Sequence, residues 1–263
     1  MTNSLEIEND GRLRVLRLNR PERKNALTGE LLRAIAGAVR DAAHDDGVWA
    51  LALTGNGDAF CSGLDLAPND AEQDDEADED DGANAADNFA MAMRVECEKP
   101  ILAGVNGVAV GIGVSLAMAA DIRIAAPSAR FHPGYARVAT SPDGGATVTV
   151  SQALGYEGAM RFFLEQRMVS ATEACDIGLV GAVTGSDAEF EDRFLAYGRM
   201  LAGIAPIAAQ QTKRLVSRVM TPAEFRAHLD EEIRLALHGL GSEDSREAVR
   251  AMMTKESAHF QGR

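Results

Sequence analysis

In the stretch SPDGGA, Ser141 to Ala146, an aspartate stands between a proline and two glycines. A carboxylate there can accept from the unpaired N–H groups of a helix start, or it can serve as a base in a pocket. The two uses compete for the same oxygens. Two other segments, GNGDAFCSGLDL (55–66) and VNGVAVGIGVSLAMAADI (105–122), leave apolar runs through glycines. Glycine lets a backbone approach a ligand closely, and a helix beginning just after it presents unpaired N–H groups that stabilise negative charge. Two such loops can aim two backbone donors at one oxygen.

Other chemistries fit these residues less well. GIGVSL holds a G-x-G but lacks the third glycine of a dinucleotide fingerprint. GVSLA around Ser115 approaches a nucleophile elbow, with alanine in the last place. A serine hydrolase built on it needs a downstream acid and histidine, and the later histidines lie on helical segments near the C-terminus. Five histidines form no H-x-x-x-H or H-E-x-x-H pattern, and three cysteines have no C-x-x-C spacing. The expectation is reduced thiols and no metal.

The elements that must hold these loops can be read from periodicity. LRVLRLNRP alternates like a half-buried strand that Pro21 stops, and a helix follows from about Thr28, with Leu31, Leu32, Ile35, Ala38, Val39 and Ala42 at helical spacing. VWALALTG and PILAGVNG read as buried strands, and a helix begins near Gly111. This strand, loop, helix rhythm predicts an α/β fold. Beyond Ala171 amphipathic helices follow one another, with Thr221-Pro222 and Ser242 as helix starts. They must bury their apolar faces on the core, on another subunit, or on both.

The formal charge of −14 argues against nucleic-acid binding. Nine of the acids sit in DAEQDDEADEDD, residues 70–81, within an acidic loop over 68–87 that reads as a solvated insertion or a lid. No apolar run suits a signal peptide or a membrane span, so the expected setting is the cytoplasm.

AFCSGLDL and VNGVAVGIGVSLAMAADIRIAA, preceded by LNRPERKNALT and followed by SPDGGA, together resemble the crotonase superfamily, the enoyl-CoA hydratase/isomerase family. The resemblance runs from the first strand to the terminal HFQGR. It implies a crotonase-like spiral of ββα turns over residues 1–200 and a C-terminal helical trimerisation region over 201–263, assembling as a trimer or a dimer of trimers. The implied substrate is an acyl-CoA thioester, with no cofactor beyond the coenzyme A it carries. The implied oxyanion hole is the pair of backbone N–H groups of Leu64 and Ile112. Preorganised donors of this kind contribute about 3–4 kcal/mol each to holding an enolate oxygen. By the same resemblance Arg23 and Lys24 lie near the CoA phosphates, and Ala26 and Leu27 near the pantetheine and adenine. Lys255 and Phe260 would close over the nucleotide, often on the neighbouring subunit.

Two positions depart from the pattern. Where the family's hydratases carry two glutamates, this chain has Ser115 and Tyr135. A carboxylate pair activates water and delivers a proton, which a serine and a tyrosine of ordinary pKa do not replace. Asp143, eight residues after Tyr135, matches the place where double-bond isomerases of the family carry their base and some dehalogenases a nucleophile. The expected activity is therefore an enoyl-CoA isomerase that uses Asp143. Ser115 and Tyr135 would line the acyl pocket. Hydration, thioester hydrolysis or dehalogenation with atypical residues, a non-catalytic acyl-CoA-binding protein and the Ser115 hydrolase stay open.

Overall fold

The computed structural model describes residues 4–65, 88–217 and 221–261. The acidic segment 68–87 lies outside the described residues. Strand β1 (Leu5–Asp10) pairs antiparallel with β2 (Leu13–Leu18), and β2 leads through a 3-10 turn at Pro21–Arg23 into helix α1 (Gly29–His44). Thr28 caps α1 by accepting from the Leu31 N–H.

From there the chain lays down strands in pairs: β3 (Ala50–Gly55) with β4 (Ala59–Cys61), β5 (Ile101–Val105) with β6 (Val108–Val110), and β7 (Ile122–Ala125) with β8 (Arg130–His132). The first of each pair joins a six-stranded sheet of order β1-β2-β3-β5-β7-β10, and the second a four-stranded sheet of order β4-β6-β8-β9. Here β9 is Val169–Ser170 and β10 is Ala182–Val183. Each turn of the chain thus contributes one strand to each sheet, which is a spiral. Within it β3, β5 and β7 are parallel, as are β4, β6 and β8.

The middle of the larger sheet, β2, β3 and β5, is buried on both faces. Leu16, Leu18, Leu51, Leu53, Ile101 and Ala103 enter the main core with α1, whereas Leu13, Val15, Ala50, Ala52 and Leu102 face the other way. That second face is covered by α5 (Phe190–Ala202), which sets Phe190 and Phe194 parallel at a centroid distance of 5.9 Å. The alternation in LRVLRL therefore separates two cores rather than core from solvent. Further α-helices are α2 (Ile112–Ala119), α3 (Ala146–Glu165), α4 (Ala171–Asp176), α6 (Pro206–Val216), α7 (Pro222–Leu240) and α8 (Glu243–Thr254). The expected boundary at 200/201 falls inside α5.

The C-terminal helices start at the residues expected from sequence. Thr221 forms a reciprocal cap with Glu224, and Ser242 accepts from the Ser245 N–H. They are tied to the spiral by buried polar contacts. Lys213 on α6 pairs with Asp121 at 2.9 Å and donates to the carbonyls of Met93 and Lys99. Ser245 on α8 donates to the Val138 carbonyl at 2.9 Å. No helix among the described residues is long and apolar enough to cross a membrane, and none of their His, Cys, Asp and Glu side chains form a group of three or more able to hold a metal ion.

Candidate active site

The parallel neighbours β4 and β6 open at their carboxyl ends into the two glycine loops. A Cβ on Gly63 would lie 3.1 Å from the Val110 carbonyl oxygen, and one on Gly113 would lie 2.6 Å from that of Cys61. The loops therefore touch through glycines, and a side chain at Gly113 would push them apart.

Leu64 forms a parallel bridge with Leu27, in which Leu27 donates to the Gly63 carbonyl at 2.8 Å and accepts from the Asp65 N–H at 2.9 Å. In such a bridge the N–H of Leu64 itself faces away from Leu27. Ile112 is the first residue of α2, after Gly111 has turned the chain with φ 54° and ψ −125°. Its N–H precedes any possible helical acceptor. Among the described residues neither of these two N–H groups meets a hydrogen-bond acceptor. All eight residues of α2 are buried, so its N-terminal end carries its partial positive charge in an apolar setting.

One turn along α2, the buried Ser115 hydroxyl is hydrogen-bonded to the Tyr135 hydroxyl. Tyr135 in turn donates to Asp143 Oδ1 at 3.2 Å. The proton order follows, since the phenol O–H is committed to the carboxylate and Ser115 must donate to the phenol oxygen. Burial, and then the nearby Asp143 charge, push the Tyr135 phenol well above its ordinary pKa, so it remains a donor at neutral pH.

Asp143 does not spend its carboxylate on the start of α3. Gly144 and Gly145 adopt φ of 61° and 75°, and a Cβ on Gly144 would come within 3.2 Å of Ser115 Cβ and 2.8 Å of Phe89. The N–H of Ala146 goes to the backbone carbonyl of Asp143, at 3.1 Å. The N–H groups of Gly145 and Thr147 go to Glu232 of α7, at 2.7 and 3.1 Å. The helix-cap reading of SPDGGA is thus overturned, because a buried glutamate from another helix fills that role.

Arg23 pairs with Asp65 at 2.9 Å, and Lys24 pairs with Asp58 at 2.7 Å across an exposed surface. Ala26 and Leu27 are buried. Lys255 ends α8 in a left-handed conformation, and Phe260 is half exposed in the segment beyond it. Neither has a hydrogen bond or ion pair with residues 23–27.

Three supports of the loops escaped sequence reasoning. Asp65 is nearly buried and binds Arg20 at 2.8 Å as well as Arg23, clamping the residue after Leu64 to the N-terminal loop. Asn25 is buried with φ 55°, accepts from the Arg20 N–H and donates to the carbonyls of Asn56 and Ala59. Glu232 is the third. Asp65 and Asn25 lie inside the quoted motifs, whereas Glu232 carries no local signal.

The profile of one family, enoyl-CoA hydratase/isomerase, matches residues 8–263. The chain belongs to the enoyl-CoA hydratase/isomerase family. It is 34% identical over 261 residues to a probable enoyl-CoA hydratase of Rhodobacter capsulatus, covering 95% of each chain. It is 32% identical to the 1,2-epoxyphenylacetyl-CoA isomerase of Escherichia coli, covering 94% of each. Among solved structures, an enoyl-CoA hydratase/isomerase from Pseudoalteromonas atlantica superposes with a TM-score of 0.87 at 32% identity, covering 98% of this chain and all of that one. The crotonase fold expected from the motifs is the fold of this enoyl-CoA hydratase/isomerase family member.

Proposed function

We propose that this enzyme isomerises an enoyl-CoA thioester, with Asp143 as its single base and the N–H groups of Leu64 and Ile112 as its oxyanion hole. Asp143 removes a proton from the carbon next to the thioester, and the electron pair passes into a dienolate whose oxygen the two N–H groups hold. The Asp143 carboxyl then returns the proton at the far end of the dienolate, so the double bond moves and no water is consumed. The observation that carries this reading is the chain Ser115–Tyr135–Asp143. The two positions that would supply a hydratase's carboxylates are a serine and a tyrosine bonded to each other, and the tyrosine points its proton at the Asp143 carboxylate.

Arg23 and Lys24 take the CoA phosphates in this reading. The Lys24–Asp58 pair is exposed on both sides, and such pairs contribute about 1 kcal/mol or less, so a phosphate can replace the aspartate. Ala26 and Leu27 line the path of the pantetheine. Lys255 and Phe260 serve a neighbouring subunit in a trimer or dimer of trimers. The exposed Ile207, Leu215, Val216 and Met253 on the C-terminal helices support such an assembly. The enzyme needs no cofactor beyond the CoA of its substrate, and it works in the cytoplasm.

The test is turnover of 3-enoyl-, 2-enoyl- and arylacetyl-CoA thioesters by wild type, Asp143→Asn and Ser115→Ala. Loss of 3-enoyl to 2-enoyl isomerisation in Asp143→Asn is expected. Undiminished isomerisation in that variant removes the mechanism, and labelling of Ser115 by a fluorophosphonate favours a hydrolase.

A further inference from the structure

The start of α3 and the end of the proposed site share three residues of chain, Asp143 to Gly145. Helix α3 begins behind two left-handed glycines, so no side chain at its own N-cap accepts from it. The acceptor comes instead from α7, 87 residues further along. Glu232 Oε2 accepts from the Gly145 N–H, and Oε1 accepts from the N–H and the hydroxyl of Thr147. His228, one turn earlier on α7, completes the cluster through contacts with Thr147 Oγ1 at 2.6 Å and Glu232 Oε1 at 3.2 Å. Glu232 is itself buried, and a buried carboxylate is tolerated only when paired and hydrogen-bonded in this way.

An aspartate two residues before an N–H is in the standard position to accept from it through its own side chain. Asp143 stands in that relation to Gly145. With Glu232 in place the Gly145 N–H is already taken, and Asp143 meets Tyr135 instead. We infer that Glu232 is a positioning residue: by occupying the start of α3 it holds the Asp143 carboxylate against Tyr135 and out of a local turn with Gly145. The inference rests on the isomerase reading only for its kinetic consequence, and it assigns the C-terminal helix α7 a part in the site that no local motif signals.

Crystal structures of full-length Glu232→Ala and Glu232→Gln test it directly. The glutamine keeps the volume but presents one acceptor oxygen where the carboxylate has two, so one of the two backbone donors loses its partner. In Glu232→Ala, and in Glu232→Gln where the amide oxygen goes to Thr147, the Tyr135–Asp143 contact, 3.2 Å in the wild type, is expected to open beyond about 3.5 Å, the limit of a useful hydrogen bond, with Asp143 accepting from Gly145. Isomerase kcat is expected to fall by about tenfold or more, since a base displaced by an ångström can lose about a hundredfold. The KM for the thioester should change less than about threefold, because the Glu232 carboxylate is committed to Gly145, Thr147 and His228 and is not among the groups proposed to hold the thioester. Asp143 still on Tyr135 in a folded Glu232 variant whose Gly145 N–H has lost its side-chain acceptor overturns the inference. If the contact opens while Asp143→Asn keeps full isomerase turnover, the positioning stands and the isomerase reading falls.

Discussion

Tyr135 Oη lies 3.2 Å from Asp143 Oδ1 and shares a hydrogen bond with Ser115 Oγ, so a buried hydroxyl, a phenol and a carboxylate form one chain between α2 and α3. Removing the phenol oxygen orphans Ser115 in a site with no exposure to water. Tyr135→Phe is expected to lower stability by about 1–3 kcal/mol, the penalty of an unsatisfied buried polar group. Adding Ser115→Ala should recover part of that loss, because both partners are then apolar. Urea denaturation of the two single variants and the double variant reads the coupling.

Tyr135 also sets a pH limit. Its phenol is pushed well above 10 in the fold, first by burial and then by Asp143. A group whose folded pKa is raised contributes stability below its unfolded value, which is about 10 for tyrosine, and that contribution is lost as pH rises beyond it. Wild type should therefore lose more stability than Tyr135→Phe between about pH 9 and pH 11. Phenolate absorbance near pH 10 should be the same in both proteins while they are folded.

His228 works in the same sense at lower pH. Its pKa is raised, first by the hydrogen bond to Glu232. The charged pair then contributes most below the ordinary histidine value of about 6.5 and is lost as pH rises through the raised folded value. His228 is about one-third exposed, so the contribution is expected to stay below about 1 kcal/mol. Denaturation of wild type and His228→Gln at about pH 5.5 and pH 9 should show the difference at the lower pH and little at the higher.

Gly113→Ala tests the contact between the two loops. Its Cβ would sit 2.6 Å from the Cys61 carbonyl oxygen and 2.9 Å from Cys61 Sγ. The backbone must shift, at a cost of about 1–3 kcal/mol. If Leu64 and Ile112 act as a pair, kcat/KM for the thioester should fall by about a hundredfold to a thousandfold, the effect of losing one oxyanion donor. Retained turnover in a folded Gly113→Ala variant would argue against the paired-donor role.

Asp65→Ala removes the shared anion of Arg20 and Arg23. Arg20 is mostly buried and keeps a bond to the Ala26 carbonyl, so losing its carboxylate partner should cost about 1–3 kcal/mol of stability. The same variant removes the ion-pair clamp between the Leu64 loop and the segment from Arg20 to Leu27, which takes the CoA in the proposed function, and leaves only their backbone bridge through Leu27. Thioester KM should therefore rise several-fold more than kcat falls, which steady-state kinetics with 2-enoyl- and 3-enoyl-CoA would show.

Much of this architecture was visible in the sequence because it is local. Thr28, Thr221-Pro222 and Ser242 announce their helices within four residues. The buried strands β3 and β5 are continuous apolar runs. Strand β1 is hard to read because its alternation stops after Leu5 and Ile7 and only Leu5 is buried, too short a pattern to separate a strand from a polar loop. Strands β4, β6 and β8 have three residues each, too few for a pattern, and their membership of a second sheet depends on pairing at a distance. The two loops and Asp143 could be picked out from quoted motifs. The carboxylate that caps α3 could not, because Glu232 reads as one more acid on an amphipathic helix.

The parallel pairing of β4 with β6 fixes more than the order of the small sheet. Hydrogen-bonded neighbours lie about 4.8 Å apart, and the loops bearing Leu64 and Ile112 spring from adjacent ends of these two strands. The backbone of the sheet thus acts as a ruler between the two loops, and its graduation does not depend on side-chain identity. Side chains at positions such as 115, 135 and 143 can be exchanged for others while that ruler stays unchanged. Divergence in chemistry on such a scaffold is then a matter of changing the side chains beside the two loops, whose spacing is held to a fixed gauge.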